Sequence, residues 1–487
     1  MDILLILGLP ATLALASVFF NRSRTFALVN SFGHFLILCR AVLLVTGIVN
    51  GARSISYFNF LYVDALSALF ILTISFVTFA ASVYSVSYID KEVQDGVISE
   101  RKALGYYGLF NLFTLSMYFS TALNNLGFVW VAIEMTTLIS AFLVGFYNNK
   151  RSVEAAWKYI VICSVGIGLA LLGTMLFYYA VSQRGNISSL NWTDMIKVAK
   201  ALDPNLLKIA FLFIIVGYGT KAGLVPMHTW LPDAHSQALA PISALLSGVL
   251  LETAIYAILR FTIIINKCAG SQYSSNILML FGLASLGVSA AFILVQKDIK
   301  RLLAYSSVEH IGIICLGIGF GGALGLYGAL FHIFNHAGTK SLMFFCAGSV
   351  TKRYKTNDMH VIKGISGAMP FVGPVFILGA FALAGSPPFS IFFSELLILI
   401  SGFNAGAYIQ SGLFILFAAI VFGGMIHHIS GIVFGKKPEG IDTANEPLST
   451  KLSLAFLFIL ILAIGFAMPV SFNKLLISAA DIIRGIL

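Results

Sequence analysis

Apolar residues fill the chain in runs long enough to cross a bilayer, and the polar positions fall in short clusters between them. A membrane span needs about 20 predominantly apolar residues. On that measure fourteen helices are predicted, near 1–20, 27–49, 60–88, 104–123, 125–147, 156–182, 206–225, 239–265, 275–295, 303–320, 324–350, 369–402, 405–435 and 452–470. A short amphipathic tail follows. The first run, "MDILLILGLPATLALASVFF", has no basic leader and no convincing cleavage site, so it reads as a retained helix. Two runs are interrupted, at "KAGLVPMHTWLP" and at "ALAGSPPFSIFFSELL". Unwound backbone is tolerated at membrane depth only where protein or a hydrated cavity surrounds it, so paired breaks point to a transport site.

Few ionisable groups survive inside the runs: Glu134, Lys221, Glu252, Glu309, His310, His332, His336, Lys340, Glu395, His427 and His428. Glu134 and Glu309 are 175 residues apart, Lys221 and Glu395 are 174, and Glu252 and His427 are 175. The recurring offset divides the chain into an N-terminal three-helix segment (1–103), two five-helix units (104–265 and 275–435) and a C-terminal helix with its tail (436–487). The breaks do not share that offset, since Pro226 and Pro388 are 162 residues apart.

A charge at the bilayer centre costs at least about 2.5–3.5 kcal/mol, so each such group needs a partner, water or a task. Lys221 is expected to pair with Glu134, the carboxylate weakening or tightening its hold on a proton. His332, His336 and Lys340 recur at i, i+4, i+8 and share one helix face, which suits a water-linked proton relay because neutral imidazole both donates and accepts. As metal ligands the two histidines lack the glutamate of an HExxH site. Glu309 and His310 are adjacent, so one of them is expected to face a shared path. Glu252 and Arg260 are expected to form a local pair, and His427 to serve as a relay or exit group. The loop "HTWLPDAHSQA" carries His228 and His235 as candidates for proton entry, against a plain capping and turn role.

Composition fixes the class. Of 487 residues, 59% are hydrophobic and 10% charged, against about 25% charged in soluble domains. The net charge of +10 does not mark a nucleic-acid binder, because the basic residues alternate between loops. Eighteen of the 30 lysines and arginines fall on one set of alternating loops and eight on the other, including Arg53 and Arg184. The richer side is expected to be cytoplasmic, which puts both termini outside a cell inner membrane. The five cysteines form no CxxC pair, and no Walker A or Rossmann motif is present. Iron–sulfur or nickel ligation by this chain and a disulfide framework are therefore not expected, and neither is a redox centre or cofactor of its own.

Four stretches carry a resemblance: "KAGLVPMHTWLPDAHSQALAPISALLSGVLL", "QKDIKRLLAYSSVEHIGII", "FHIFNHAGTKSLMFFCAGSV" and "GSPPFSIFFSELL". They resemble the antiporter-like subunits shared by respiratory complex I, Mrp-type cation/proton antiporters and membrane-bound hydrogenases. "SSVEH" and "SALLSGVLL" resemble the hydrogenase-4 (formate hydrogenlyase) component F branch. The resemblance implies an all-α polytopic membrane fold of fourteen helices with two inverted five-helix repeats, each with a broken helix. It also implies a polar axis along the membrane plane through Glu134, Lys221, His332, His336 and Glu395, with Lys340 following. Many relatives carry lysine where this chain has Glu252. The implied partners are other membrane subunits, among them a further antiporter-like subunit, the surrounding lipid, and a soluble redox arm with Fe–S clusters and a [NiFe] site. The implied function is outward proton translocation in a redox-driven complex of the hydrogenase or NADH dehydrogenase type. The alternatives are a Mrp-type Na+/H+ antiporter subunit and a non-transporting scaffold.

Overall fold

A computed structural model describes residues 2–52, 54–183, 189–443 and 445–486. The chain opens with α1 (Asp2–Ala16) and α2 (Ser23–Gly47), a π-helical turn, and a hairpin of β1 (Ser54–Tyr57) and β2 (Leu61–Asp64) in the register Ser54↔Asp64. Then come α3 (Ala65–Gln94), α4 (Glu100–Ala122), α5 (Leu126–Val144), α6 (Lys150–Ser182) and a short α7 (Trp192–Val198). The first broken helix is α8 (Pro204–Ala222) and α9 (Trp230–Gln237). It is followed by α10 (Ala240–Leu245), which runs through a π-helical stretch, Leu246–Leu250, into α11 (Leu251–Ala269). Next are α12 (Ser271–Val295), α13 (Ile299–Phe320), α14 (Gly322–Tyr354) and a one-turn α15 (Ile365–Ala368). The second broken helix is α16 (Val372–Leu383) and α17 (Ser390–Asn404). The chain closes with α18 (Tyr408–Val433), α19 (Leu448–Phe466) and the amphipathic α20 (Val470–Arg484).

The fourteen predicted spans are all present. Among the described residues, ten helices or helix pairs are long and apolar enough to cross a membrane. The other four crossings are the short α1, the more polar α4 and α14, and the split α16–α17. Arg53 and Arg184 lie outside the described residues.

Sequence and sterics explain the breaks. Helix α8 stops at Gly223, whose φ of 83° is left-handed and whose missing Cβ leaves room for Leu231. Helix α16 stops before Gly385, at φ 72°. The Asn125 side chain caps α5 through the Gly127 and Phe128 amides, and Asp298 caps α13 through those of Lys300 and Arg301.

Burial sorts the helices into layers. The α10–α11 span is buried along its whole apolar window, α13 over 94% and α3 over 83%, whereas α18 is buried over only 28%. The polar α14 is buried along nearly all of its middle. These helices therefore form the centre, and the exposed apolar side chains of the outer ones, such as Phe142 and Trp157, make a lipid-compatible rim. Small residues set a close approach, where Gly166 and Gly217 let α6 and α8 close on Thr220 and Ala170. That approach brings Tyr159 of α6 to Lys221 of α8.

Candidate functional site

Lys221 sits in the last turn of α8, two residues before the capping glycine, and is fully buried. Its Nζ donates to Thr137 Oγ1 at 2.8 Å and to Tyr159 Oη at 2.5 Å, and lies 4.7 Å from the centre of the Tyr159 ring. Tyr159 Oη also lies 2.7 Å from Ser140 Oγ. The direct Glu134–Lys221 pair expected from the sequence is not formed. Among the described residues no carboxylate lies within ion-pair distance of Lys221, and Glu134 instead accepts from Ser164 Oγ at 3.1 Å. Glu134 sits half-buried, one turn from Thr137 along α5, so the hydroxyl of Thr137 stands where the carboxylate was expected. Three residues of this cluster, Thr137, Ser140 and Tyr159, carry no charge and went unnoticed in the sequence. The i, i+3 spacing of Thr137 and Ser140 after Glu134 was the available signal.

The second cluster is a file across α11, α14, α13 and α17. Glu252 Oε1 lies 3.0 Å from His336 Nδ1. The His336 and His310 rings are 5.2 Å apart between centres. His310 Nδ1 lies 2.9 Å from His332 Nε2, and His332 Nδ1 lies 2.9 Å from Ser394 Oγ. One ligand-type atom each of His310, His332 and Glu395 lie within 4.8 Å of one another. The file thus runs Glu252, His336, His310, His332, then Ser394 beside Glu395. A Cβ at Gly385, inside the second break, would collide with Glu395 Oε2, so this glycine makes room for the carboxyl.

Several expectations are refined. Of the adjacent pair, His310 joins the file. Glu309 is buried beside it and, among the described residues, makes no side-chain hydrogen bond. Lys340 does not extend the histidine file, because its Nζ turns to the Leu303 carbonyl oxygen at 2.9 Å and to Ser306 Oγ on α13. Arg260 does not pair with Glu252. It forms a bidentate pair with Asp64, 2.7 Å to each oxygen, at the N-cap of α3. That partner is 196 residues away, beyond any local pattern. His427 is exposed on α18 and stands apart from the file, while His428 meets the Ile293 carbonyl oxygen. The Glu252–His427 match in the 175-residue offset therefore joins two unlike environments.

His235, on α9, is buried and stacked 5.2 Å from the Phe344 ring, and neither ring nitrogen has a protein partner. The next residue, Ser236, lines a cavity of about 580 Å³ among the basic loops, together with Glu92, Lys300 and Lys352. His228 is also buried, with Nδ1 unpartnered. Unpartnered buried atoms recur at Glu134 Oε2, Glu252 Oε2, His310 Nε2 and His336 Nε2.

Fourteen crossings, two broken helices and a buried file of acids and bases define an antiporter-like polytopic membrane protein. Residues 123–423 match the family described as NADH:quinone oxidoreductase/Mrp antiporter, TM, and the chain belongs to that family. It is 38% identical over 416 residues, 84% of this chain and 86% of the relative, to the hydrogenase-4 component F homolog of Methylacidiphilum infernorum (isolate V4). It is 31% identical over 352 residues, 72% of this chain and 68% of the relative, to the NADH-quinone oxidoreductase subunit N of Desulforudis audaxviator (strain MP104C). Its fold is similar to a chain of the membrane-bound sulfane sulfur reductase, an archaeal respiratory membrane complex, with a TM-score of 0.87 at 23% identity over 99% of this chain and 96% of that one.

Proposed function

We propose that this chain moves protons outward across a cytoplasmic membrane as one subunit of a redox-driven, respiratory-type complex. The observation that carries the reading is the buried file from Glu252 through His336, His310 and His332 to Ser394 and Glu395. Each histidine can accept a proton on one nitrogen and release one from the other, so the file moves charge without moving a heavy atom far. Lys221 is the switch. It holds a proton through two hydroxyls rather than a carboxylate, and the charge on Glu134, one turn beyond Thr137, biases that hold. Protons enter from the basic-loop face through the cavity at Ser236 and pass His235, with His228 beside that entrance. Lys340 and Glu309 then serve the entry side of the file. This orientation puts the basic loops in the cytoplasm and both termini outside.

Glu134 and Glu395 are half-buried on helices whose outer faces carry exposed apolar side chains, Phe128 and Phe142 on α5 and Phe393 and Phe403 on α17. The polar axis therefore approaches the surface at both ends, where neighbouring membrane subunits, including a second antiporter-like one, would continue it. A soluble arm with Fe–S clusters, and a [NiFe] centre in the hydrogenase branch, supplies the driving charge. Each proton moved against the membrane potential requires about 2.3 kcal/mol per 100 mV.

The test is purification of the complex from its native membrane, identification of its soluble subunits, and reconstitution into liposomes holding a pH-sensitive dye. Electron transfer through the attached arm should build a proton gradient. A complex without redox subunits that exchanges Na+ for H+ would replace this reading with a Mrp-type antiporter. Electron transfer without proton movement would leave a scaffold.

A further inference from the structure

One junction of the file has the makings of a metal site. At the α17 end, His310 of α13, His332 of α14 and Glu395 of α17 converge, with one ligand-type atom of each within 4.8 Å of the others. The sequence offered histidines on one helix without an HExxH glutamate; the fold brings in a carboxylate and a further imidazole from two other helices. Hydrogen bonding fixes the tautomer at the centre of the cluster. Ser394 Oγ donates to the Ile391 carbonyl oxygen at 2.8 Å, which leaves it to accept from His332 Nδ1 at 2.9 Å. His332 Nε2 therefore keeps its lone pair and faces His310 Nδ1 at 2.9 Å. A metal-bound histidine almost always donates its second ring N–H to such an outer partner, which orients the ring. Charge points the same way. Glu309 and Glu395 lie close enough for their charges to interact, and among the described residues neither forms an ion pair. Two neighbouring carboxylates resist ionising together unless a cation joins them. Glu395 adjoins the second break, where Gly385 is partly exposed and Pro387 and Pro388 are exposed, so the break is the way in.

We propose that His310, His332 and Glu395 form a binding site for a zinc-type divalent cation, which arrests proton transport when it binds. Zn2+ takes imidazole nitrogen at about 2.0–2.1 Å and carboxylate oxygen at about 2.0–2.2 Å in a tetrahedron, so its ligand atoms stand about 3.3–3.5 Å apart. The two facing nitrogens have to part by about half an ångström to admit the ion, and a water completes the fourth position. The ion takes the place of the proton on His310 Nδ1, and that proton moves to Nε2 of the same ring, an atom with no protein partner. Both imidazoles are then held in one tautomer with their facing nitrogens occupied, and no proton crosses between them. Imidazole ligands favour Zn2+ over Mg2+ and Ca2+, which suit oxygen. Binding stands on the cluster alone, whereas the arrest rests on the relay proposed above.

The test has two arms. In the first, the full chain in lipid nanodiscs is titrated with Co2+, whose visible absorption is intense only in tetrahedral sites, and then with Zn2+. One Co2+ per chain should bind, and Zn2+ should displace it while Mg2+ does not. His332→Gln and Glu395→Gln should each weaken binding at least tenfold. A wild-type chain without the tetrahedral band would overturn the site. So would binding that survives both substitutions, or that is lost instead in His360→Ala/His427→Ala, where both histidines are exposed. If His332→Gln does not fold, Glu395→Gln, at a half-buried position, decides together with the wild-type spectrum. In the second arm, the native complex in proteoliposomes receives micromolar Zn2+ while proton movement and electron transfer are followed. Transport should fall at least tenfold and return when a chelator is added. Transport at wild-type level with the site occupied would overturn the arrest and the relay with it, and leave the binding site standing.

Discussion

Replacing Lys221 with methionine removes an ammonium and keeps most of the side-chain volume. Centring a charge in the membrane costs about 2.5–3.5 kcal/mol on insertion scales. Against that stand two charge-assisted hydrogen bonds, about 1.5–3 kcal/mol each, and a ring contact at 4.7 Å worth about 2 kcal/mol when desolvated. The groups left behind are not stranded, because Tyr159 keeps Ser140 and Thr137 keeps the Ile133 carbonyl oxygen. With no carboxylate in direct contact there is also no orphaned counter-charge, the usual source of a loss of about 3–5 kcal/mol. The favourable terms exceed the insertion cost by about 1.5–5.5 kcal/mol, so Lys221→Met should destabilise by roughly that amount and still leave the complex able to assemble. Proton transport should fall at least tenfold. The assay pairs thermal unfolding of the solubilised complex with dye-reported proton movement in liposomes. A variant that fails to assemble would make Lys221 a structural residue and refute this reasoning, and so would one that assembles and transports normally.

The other predictions use the same pair of readouts. Glu252→Gln keeps an acceptor for His336 but cannot carry a proton, so the complex should assemble and transport should fall at least tenfold; retained transport would remove Glu252 from the file. Arg260→Leu strands the buried Asp64 carboxylate and should destabilise by about 3–5 kcal/mol, whereas Asp64→Leu combined with Arg260→Leu should recover most of that in a thermal melt. Gly385→Ala places a methyl against Glu395 Oε2 at a left-handed φ, so transport should drop, with a backbone cost of about 1 kcal/mol seen in the same melt. Glu154→Ala removes only an exposed i, i+4 partner of Lys158 and should shift stability by less than about 0.5 kcal/mol, a control for the melts.

The spans, the two breaks and the roster of buried acids and bases were legible in the sequence. A bilayer imposes length and apolarity on each span locally, and proline and glycine interrupt a helix through their own backbones. Family membership was legible for a related reason: the broken segments and the helix bearing His332 and His336 carry their polar residues at fixed spacing within single helices. What the sequence did not reveal was which group meets which. Asp64 and Arg260 are 196 residues apart, Lys221 chose Thr137 and Tyr159 over Glu134, and Lys340 turned to the Leu303 carbonyl oxygen and Ser306 while the histidines on its own helix met Glu252, His310 and Ser394. Helical periodicity fixes the angle at which a side chain leaves its own axis. The neighbour it meets depends on crossing angles and on close approaches such as Gly217 against Ala170. Those are properties of the packed bundle, and so the tertiary structure decided them.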